Sequence, residues 1–414
     1  MAGPQHLPGG AQAAMTRQGH SCLALPSVDI SVGSRFHAFD LARELHARSM
    51  LHRIYTGYPQ FSAKRFLLPP ERMHSVWTHE PLNRLMSGLY HRGLLPTGPD
   101  FTLSDRFDRI VAGRLEPGAN LFVGWSSQCL HSLCRAKELG MATVVERGST
   151  HIEWQRDILR EEAELTGMPV EVPDPRTVER ELAEYQVADC IAVATEFVAR
   201  TFVERGIPRE RLIVNPYGVD LRLFQPTEPS TTGRGLRVIH VGRVSVQKGV
   251  HHLIEAVGRL PQATLTVVGA PDPGMSKLLS ASHVNFIGPV PGRDLPRYYA
   301  QADVFCLLSL QEGLALVLAQ AMAMGLPIIA TPNTGAADLI TDGVEGFLVP
   351  VRNPDVVVQR LRWLAENPEM RREMGRRARA KVESGFSWAD YGVRAAAAYC
   401  RLIGNFEGSC TVSL

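Results

Sequence analysis

Two cations lie close together in a loop of the sequence that follows an apolar strand. Residues 242–249 read Gly-Arg-Val-Ser-Val-Gln-Lys-Gly, so Arg243 and Lys248 are five residues apart. A loop of this length can bring both side chains onto one anion at the end of the strand. Arginine binds phosphate oxygens through two donors and lysine adds a point charge, so the pair predicts a diphosphate site. The alternative is two ordinary solvent-exposed loop cations.

A second polar pair brackets a predicted apolar helix. Glu312 precedes it, and Gln320 lies eight residues further on. The first N–H groups of a helix lack internal partners and favour anions, so the amides of Gly313, Leu314 and Ala315 are predicted to face phosphate. Eight helical residues rise about 12 Å, a span comparable to that from a sugar ring across a diphosphate to a ribose. The alternative is a capping carboxylate and a partly buried amide.

The elements that position these residues are clearest in the C-terminal half. Apolar segments predict strands at residues 236–242, 263–269, 284–288, 303–309, 327–331 and 346–350. Helical patterns lie between them, and further helices are predicted at residues 354–366, 369–383 and 388–402. Near-continuous apolar strands that alternate with helices indicate a parallel sheet covered on both faces. This half is therefore predicted to be a doubly wound α/β domain.

The N-terminal half shows the same alternation less clearly. Strands are predicted at residues 22–25, 51–55, 120–124, 142–146, 190–194 and 211–215, with a helix at 36–48. The segment 221–235 contains prolines and a Ser-Thr-Thr-Gly run, which is typical of a linker. Residues 1–20 and 404–414 are predicted to be tails, and translation starts at either Met1 or Met15.

The composition excludes several classes of function. The chain has 414 residues, of which 45% are hydrophobic and 21% charged, and its formal net charge is +2. This is ordinary globular composition, and the near-neutral balance does not favour nucleic-acid binding. Seven cysteines without a CxxC pair favour reduced thiols in a cytoplasmic protein. There is no apolar run of about 18 residues, and the strand-following loops lack GxGxxG, which disfavours a dinucleotide oxidoreductase.

Taken in order, these motifs resemble those of family 4 glycosyltransferases. The resemblance rests on the 242–249 loop, on Glu312-Gly-(x6)-Gln320-Ala-Met-Ala-Met-Gly-Leu-Pro, and on the segments 214–224, 333–338 and 342–349. It covers residues 185–400 well and the N-terminal third only loosely. It implies a GT-B fold, in which two doubly wound Rossmann-like domains face a central cleft and a C-terminal helix crosses back to the N-terminal domain.

The implied organisation assigns residues 1–20 to a tail and 21–220 to an N-terminal acceptor-side domain. A linker (221–235), a nucleotide-sugar-binding domain (236–387), a crossing helix (388–403) and a second tail (404–414) follow.

The resemblance also implies residue roles. Arg243 and Lys248 would bind the donor diphosphate, with the backbone amides of Gly313, Leu314 and Ala315. Glu312 would contact the transferred sugar, and His151 would act beside it at the end of a strand.

Gln320 stands where the family has a glutamate for the ribose hydroxyls. An amide offers one acceptor and one donor group where a carboxylate offers two acceptors. Gly33 and Ser34 would form an N-terminal loop near donor phosphate or acceptor, although the family usually has two glycines there, and His37 is a weaker candidate beside it.

The implied reaction is a retaining, metal-independent transfer of sugar from a UDP- or GDP-sugar to an acceptor hydroxyl. The acceptor would be a carbohydrate, a lipid-linked sugar or a small molecule, in glycan, polysaccharide or glycolipid biosynthesis. No cofactor is implied beyond the nucleotide-sugar co-substrate. A cytoplasmic location is expected, and peripheral contact with the inner membrane face and the oligomeric state stay open. Two alternatives also stay open: a sugar-nucleotide epimerase of the same fold, and an inactive nucleotide-binding homologue.

Overall fold

Two parallel sheets organise the chain. The computed structural model describes residues 25–34, 36–92, 94, 98–226 and 235–411. The predicted tail at residues 1–20, most of the strand predicted at 22–25 and residues 227–234 of the predicted linker lie outside this part of the chain. Each sheet is flanked by helices, as the alternating sequence pattern predicts.

The N-terminal sheet has seven parallel strands in the order β3-β2-β1-β4-β5-β6-β7. Its strands are β1 (Val28–Val32), β2 (Leu51–Thr56), β3 (Met73–Ser75), β4 (Leu121–Trp125), β5 (Ala142–Arg147), β6 (Cys190–Val193) and β7 (Leu212–Val214). The helices of this domain are α1 (Ala38–Ala47), α2 (His79–His91), α3 (Asp100–Ala112), α4 (Leu130–Glu138), α5 (Ile152–Thr166), α6 (Pro175–Val187) and α7 (Glu196–Val203).

The C-terminal sheet has six parallel strands in the order β10-β9-β8-β11-β12-β13. Its strands are β8 (Leu236–Val241), β9 (Ala263–Val268), β10 (Val284–Gly288), β11 (Val304–Leu307), β12 (Ile328–Ala330) and β13 (Gly346–Leu348). The helices that follow are α8 (Val250–Gly258), α9 (Pro296–Tyr299), α10 (Leu316–Ala323), α11 (Ala336–Leu339), α12 (Pro354–Glu366), α13 (Pro368–Glu383) and α14 (Trp388–Thr411).

The first strand lies further along the chain than predicted. The sequence favoured residues 22–25, whereas β1 spans Val28–Val32. The apolar pattern is interrupted there by Asp29, which is fully buried. His52 on the neighbouring strand places Nδ1 2.8 Å from Oδ1 of this carboxyl group. A buried charge becomes tolerable when it is paired, and such a pairing is not visible in one segment of sequence.

The last helix is longer than predicted. Residues 404–414 were expected to form a tail, but α14 continues to Thr411. Gly404 and Gly408 each disfavour a helix by about 1 kcal/mol relative to alanine, but no proline ends it. The predicted crossing to the N-terminal domain is present, since Arg48, the C-cap residue of α1, donates to the carbonyl oxygen of Ala389 at 3.1 Å. No helix within the described ranges is long and apolar enough to cross a membrane.

One arginine holds together the two places where the chain passes between domains. Arg394 of α14 donates from Nε to Oδ1 of Asn215 at 2.9 Å. It also donates to the carbonyl oxygens of Gly385 and Pro216, each at 2.7 Å. A further residue, Phe224, is buried although it lies in the predicted linker. The start of the 221–235 segment is therefore part of the packed junction.

We expect Arg394→Ala to destabilise the junction. The substitution leaves the partner carbonyl oxygens without a donor, which costs about 1–3 kcal/mol of unfolding free energy. The matched control is Arg401→Ala, because Arg401 lies exposed on the same helix. Thermal and urea unfolding followed by circular dichroism would measure the effect. Equal stability of the two variants would contradict the role given to Arg394.

Candidate active site

Loops that follow strands of the two sheets meet at the domain border. Ser149 and Thr150, which follow β5, donate from their hydroxyl groups to Oε1 of Gln311 at 2.7 and 3.0 Å. The hydroxyl group of Thr195, which follows β6, donates to the carbonyl oxygen of Gly313 at 3.0 Å. Ligands of parallel α/β sheets bind beyond the carboxyl ends of the strands. These contacts therefore mark the wall of the candidate site.

Lys248 and Glu312 are brought together at this border. The Lys248 ammonium group donates to Oε1 of Glu312. The two side chains are 21% and 13% exposed, so the pair is accessible from solvent but shielded on most sides. The backbone amide of Leu310 donates to the carbonyl oxygen of Gln247 at 2.8 Å, which holds the two loops against each other. Lys248, predicted to bind the diphosphate, and Glu312, predicted to contact the sugar, thus lie in one site.

A glycine makes this close packing of the two loops feasible. Gly249 ends the cationic loop with φ of 65°, a conformation that glycine adopts without strain. A Cβ atom at this position would lie 2.1 Å from the carbonyl oxygen of Leu308. The lack of room for a side chain therefore explains why the Arg-(x4)-Lys-Gly motif ends in a glycine.

Arg243 has carboxylate partners of its own. Its guanidinium group donates to Asp272 of the same domain and, at 2.7 Å, to Glu171 of the N-terminal domain. The Arg243 side chain is 55% exposed. The convergence of Arg243 and Lys248 on one anion stays a prediction. Exposed ion pairs contribute only about 0–1 kcal/mol, so a diphosphate can compete with these carboxylates.

The helix expected to present free amides begins slightly later than predicted. Helix α10 starts at Leu316 with Ala315 as its N-cap residue. The amide of Ala315 donates to the carbonyl oxygen of Thr334 at 3.4 Å, so it is not free as predicted. The amides of Gly313 and Leu314 have no hydrogen-bond partner among the described residues. Two of the three predicted amides therefore stay available for an anion.

Gln320 lies half-buried on α10 next to an aromatic residue that the sequence did not single out. The phenol of Tyr299 donates to Oε1 of Gln320 at 3.2 Å. Burial raises the pKa of Tyr299 well above its usual value, so the phenol keeps its proton and acts as a donor. The amide oxygen is thus engaged inside the protein, and the NH₂ group of Gln320 is the part that can reach a ligand. The predicted contact with ribose is untested.

The surroundings of His151 favour a structural role over the predicted catalytic one. The residue is buried and forms the N-cap of α5, where Nδ1 accepts from the amide of Glu153 at 3.3 Å. Its ring packs edge-on against Phe202 with centroids 5.0 Å apart. Burial, followed by the charge of Arg147, lowers the pKa of His151 to about 4. The imidazole is therefore neutral near pH 7.

The N-terminal glycine loop is occupied by an internal contact. The loop of Gly33 and Ser34 was predicted to lie near donor phosphate or acceptor, and in the structure the Gly33 amide donates to Oε1 of Gln128 at 2.8 Å. A Cβ atom at Gly33 would lie 2.6 Å from that oxygen and 3.0 Å from Nε2 of His79. Ser34 is partly exposed beside it. His37 lies buried close by, with Nε2 3.4 Å from Oε2 of Glu146.

Sequence reasoning did not identify the buried acids of α6 that hold the loop of Gln128 beside Gly33. The backbone amides of Ser127 and Cys129 donate to the carboxylate oxygens of Glu184 at 2.7 and 2.9 Å. Burial, and then the neighbouring charge of Glu181, raises the pKa of Glu184 to about 8. The loop held in this way carries Gln128, which binds Gly33. Charged residues on a helix usually indicate a solvated face, so no local signal would have identified this network.

A cavity of the C-terminal domain lies away from this site. A volume of about 610 Å³ opens at the amino ends of the C-terminal strands, where Arg237 and Asp303 line it together with arginines of α13. Pro226 and Gly235 border it, and the segment that joins them lies outside the described residues. This cavity therefore receives no functional assignment.

The C-terminal half is similar to known proteins. Residues 227–381 match the family described as glycosyl transferases group 1. Spore coat protein SA of Bacillus subtilis (strain 168) is 30% identical over 242 residues, which cover 51% of this chain and 64% of that protein. The sulfoquinovosyl transferase SQD2 of Arabidopsis thaliana is 34% identical over 220 residues, covering 49% of this chain and 43% of that protein. The matches thus span less than two thirds of these relatives.

The fold is shared along nearly the whole chain. The crystal structure of HepE from Anabaena in complex with UDP-glucose superposes with a TM-score of 0.63 at 17% identity, covering 90% of this chain and 99% of that one. Identity at this level establishes the fold alone. Together with the seven- and six-stranded parallel sheets, the likeness identifies the GT-B fold. The chain thus has the GT-B fold, and its residues 227–381 match the glycosyl transferases group 1 family.

Proposed function

We propose that this protein is a glycosyltransferase that moves a sugar from a nucleotide-diphosphate sugar to an acceptor hydroxyl group. The observation that carries the proposal is the contact between Lys248 and Glu312 beside the unpartnered amides of Gly313 and Leu314. It brings together a cation and amides for a diphosphate and a carboxylate for sugar hydroxyls. The family match over residues 227–381 and the UDP-glucose bound to HepE support the same class of donor.

Donor binding would exchange the internal partners of this pair. The diphosphate replaces Glu312 as the partner of the Lys248 ammonium group, and the released Glu312 carboxylate accepts hydrogen bonds from the sugar. Lys248, Arg243 and the two amides then lie where negative charge develops on the leaving nucleotide. Preorganised cations and N–H groups at such a position are commonly the largest contribution to catalysis.

The chemistry is proposed to retain the configuration at the sugar carbon. The bond from that carbon to the phosphate oxygen breaks, the bond to the acceptor oxygen forms on the same face, and the acceptor proton moves to the departing phosphate. We propose that no metal cofactor takes part, because cations and amides of the protein supply the charge stabilisation.

The donor is a UDP- or GDP-sugar, and the acceptor is a carbohydrate, a lipid-linked sugar or a small molecule in glycan or glycolipid biosynthesis. We propose that the reaction takes place in the cytoplasm, with peripheral contact at the inner membrane face as an open alternative.

Replacement of Lys248 tests this assignment directly. We expect Lys248→Ala to lower transfer about 100-fold or more, the cost of removing one group that stabilises developing charge. Release of nucleotide from a panel of UDP- and GDP-sugars, with and without acceptors and without added divalent metal, measures the effect. The control is Lys277→Ala, because Lys277 is exposed.

Full activity of Lys248→Ala would contradict the diphosphate assignment. An absolute requirement for added Mg²⁺ or Mn²⁺ would contradict the metal-independent mechanism. Nucleotide binding by the wild-type chain without release from any donor would instead identify a binding protein, a candidate that Gln320 favours because the family has a carboxylate at that position.

Gln320→Glu tests the ribose contact. A carboxylate accepts two hydroxyl protons and can also accept from the phenol of Tyr299, so we expect nucleotide affinity to be preserved or increased. Isothermal titration with UDP and GDP would measure the change, with Gln320→Ala as the comparison that removes both polar atoms. Loss of nucleotide binding in Gln320→Glu would show that this position does not contact ribose.

His151→Gln separates a capping role from a catalytic one. We expect transfer to change only a few-fold, while unfolding free energy at pH 7 falls by about 1 kcal/mol because the N-cap is weakened. The folded pKa of about 4 lies below the usual 6.5, so the stability that depends on neutral His151 is present above pH 6.5 and is lost as the pH falls towards 4. The variant should therefore lose less stability on acidification than the wild type.

Unfolding measured at several pH values checks this expectation, with exposed His46→Gln as the control. A folded His151→Gln protein that has lost transfer as fully as Lys248→Ala would restore the catalytic role that the family resemblance implies.

A further inference from the structure

Two histidines and a glutamate meet where the domains touch outside the candidate active site. Glu162 belongs to α5 of the N-terminal domain, whereas His251 and His252 lie in the first turn of α8 in the C-terminal domain. Oε1 of Glu162 is 3.5 Å from Nε2 of His251 and 3.8 Å from Nε2 of His252. One potential ligand atom from each residue lies within 4.8 Å of those of the other two.

Several polar atoms of this cluster are buried without a partner. They are Oε1 of Glu162, both ring nitrogens of His251 and Nε2 of His252, none of which has a hydrogen-bond partner in the described part of the chain. Glu162 is fully buried. Buried polar atoms in folded proteins are nearly always bonded, and several orphaned atoms that face one another call for a common ligand. The Glu162 oxygen and one nitrogen of each neutral imidazole carry lone pairs, which a cation can satisfy together, while the other nitrogen of each ring carries a proton.

The ligand types and separations fit a transition-metal ion. Imidazole nitrogen and carboxylate oxygen are ligands of Zn²⁺, with metal–ligand distances of about 2.0–2.2 Å. Tetrahedral geometry at those distances separates neighbouring ligand atoms by about 3.4 Å. The observed 3.5 and 3.8 Å from the Glu162 oxygen require only a small contraction, and the histidine nitrogens, which lie within 4.8 Å of each other, approach by rotation of their side chains. The His251 and His252 side chains are 12% and 17% exposed, so water can reach the fourth position.

The charges around the cluster also favour a cation. Arg352 donates to Oε2 of Glu162 at 2.5 Å and to Glu161 at 3.0 Å. One arginine thus faces two carboxylates, which leaves a net negative charge when the histidines are neutral. Because Arg352 uses Oε2, the other oxygen of Glu162 stays directed at the histidines.

We propose that Glu162, His251 and His252 form a site for a divalent transition-metal ion of the zinc class that bridges the two domains. The ion ties α5 to the helix that begins directly after the loop of Arg243 and Lys248. Its role is to hold this side of the domain border closed, and it takes no part in bond making or breaking. The proposal therefore stands independently of the proposed glycosyl transfer.

The experiment uses the full chain without a polyhistidine tag, stripped of metal with a chelator. Titration with ZnCl₂ by calorimetry is expected to show one equivalent bound and to raise the melting temperature. Co²⁺ is the spectroscopic probe, because tetrahedral coordination by nitrogen and oxygen gives visible absorption bands. The double variant H251Q/H252Q and the single variant Glu162→Gln test the ligands, and His46→Gln is the control for a surface histidine.

Binding of Zn²⁺ should weaken at least 100-fold in the double variant and at least tenfold in Glu162→Gln, with loss of the Co²⁺ bands, while His46→Gln binds like the wild type. Circular dichroism confirms that each variant is folded. The proposal is overturned if the wild type binds no stoichiometric Zn²⁺, or if the double variant binds as well as the control. Unchanged binding by Glu162→Gln would overturn the bridge between domains.

Discussion

Direct contact between the backbones of the two domains is the constraint on which the candidate site depends. At Gly313 a Cβ atom would lie 2.3 Å from the carbonyl oxygen of Gly148, so any other residue would push the domains apart. The same stretch is fixed by the hydrogen bonds from Thr195 to Gly313 and from Ser149 to Gln311. The neighbouring Glu312 is thereby held at the border. A glycine next to the acid is therefore a condition for forming the site, besides leaving an amide available for an anion.

Charge compensation explains how a nearly neutral chain can hold a cationic site. The formal net charge is only +2, and each cation of the 242–249 loop is balanced by a carboxylate. Lys248 faces Glu312 in a largely shielded position, whereas Arg243 faces Glu171 and Asp272 in an exposed one. Solvent screening makes the exposed contacts weak. A diphosphate would thus displace the partners of Arg243 at small cost. The same exchange at Lys248 would release the carboxylate of Glu312, which is proposed to contact the sugar hydroxyls.

The sequence predicted those features that depend on local pattern. Buried parallel strands are continuous apolar runs, so β8 to β13 were placed within two residues of their observed ends. Lys248 and Glu312 were each assigned to the site from their own motifs, and their contact agrees with the rule that loops following parallel strands lie at one edge of the sheet. The failures are residues whose burial depends on distant partners. The charge of Asp29 interrupts the apolar pattern of β1, and its partner His52 lies on another strand, so this strand could not be located from its own sequence. Glu184 has the sequence pattern of a surface residue, because the loop that it binds is distant in the chain.

The two sides of the domain border are held by different interactions. On the side where the chain crosses, Arg394 and buried Phe224 join the domains through charged hydrogen bonds and apolar packing. On the opposite side, Arg243 pairs with Glu171 at the surface, whereas Arg352 pairs with Glu162, which is fully buried. The exposed pair can exchange with a diphosphate at small cost, but breaking the buried pair would leave an uncompensated carboxylate. Donor binding at Arg243 therefore leaves the contact at Glu162 in place, and a metal ion there would strengthen that contact from outside the cleft.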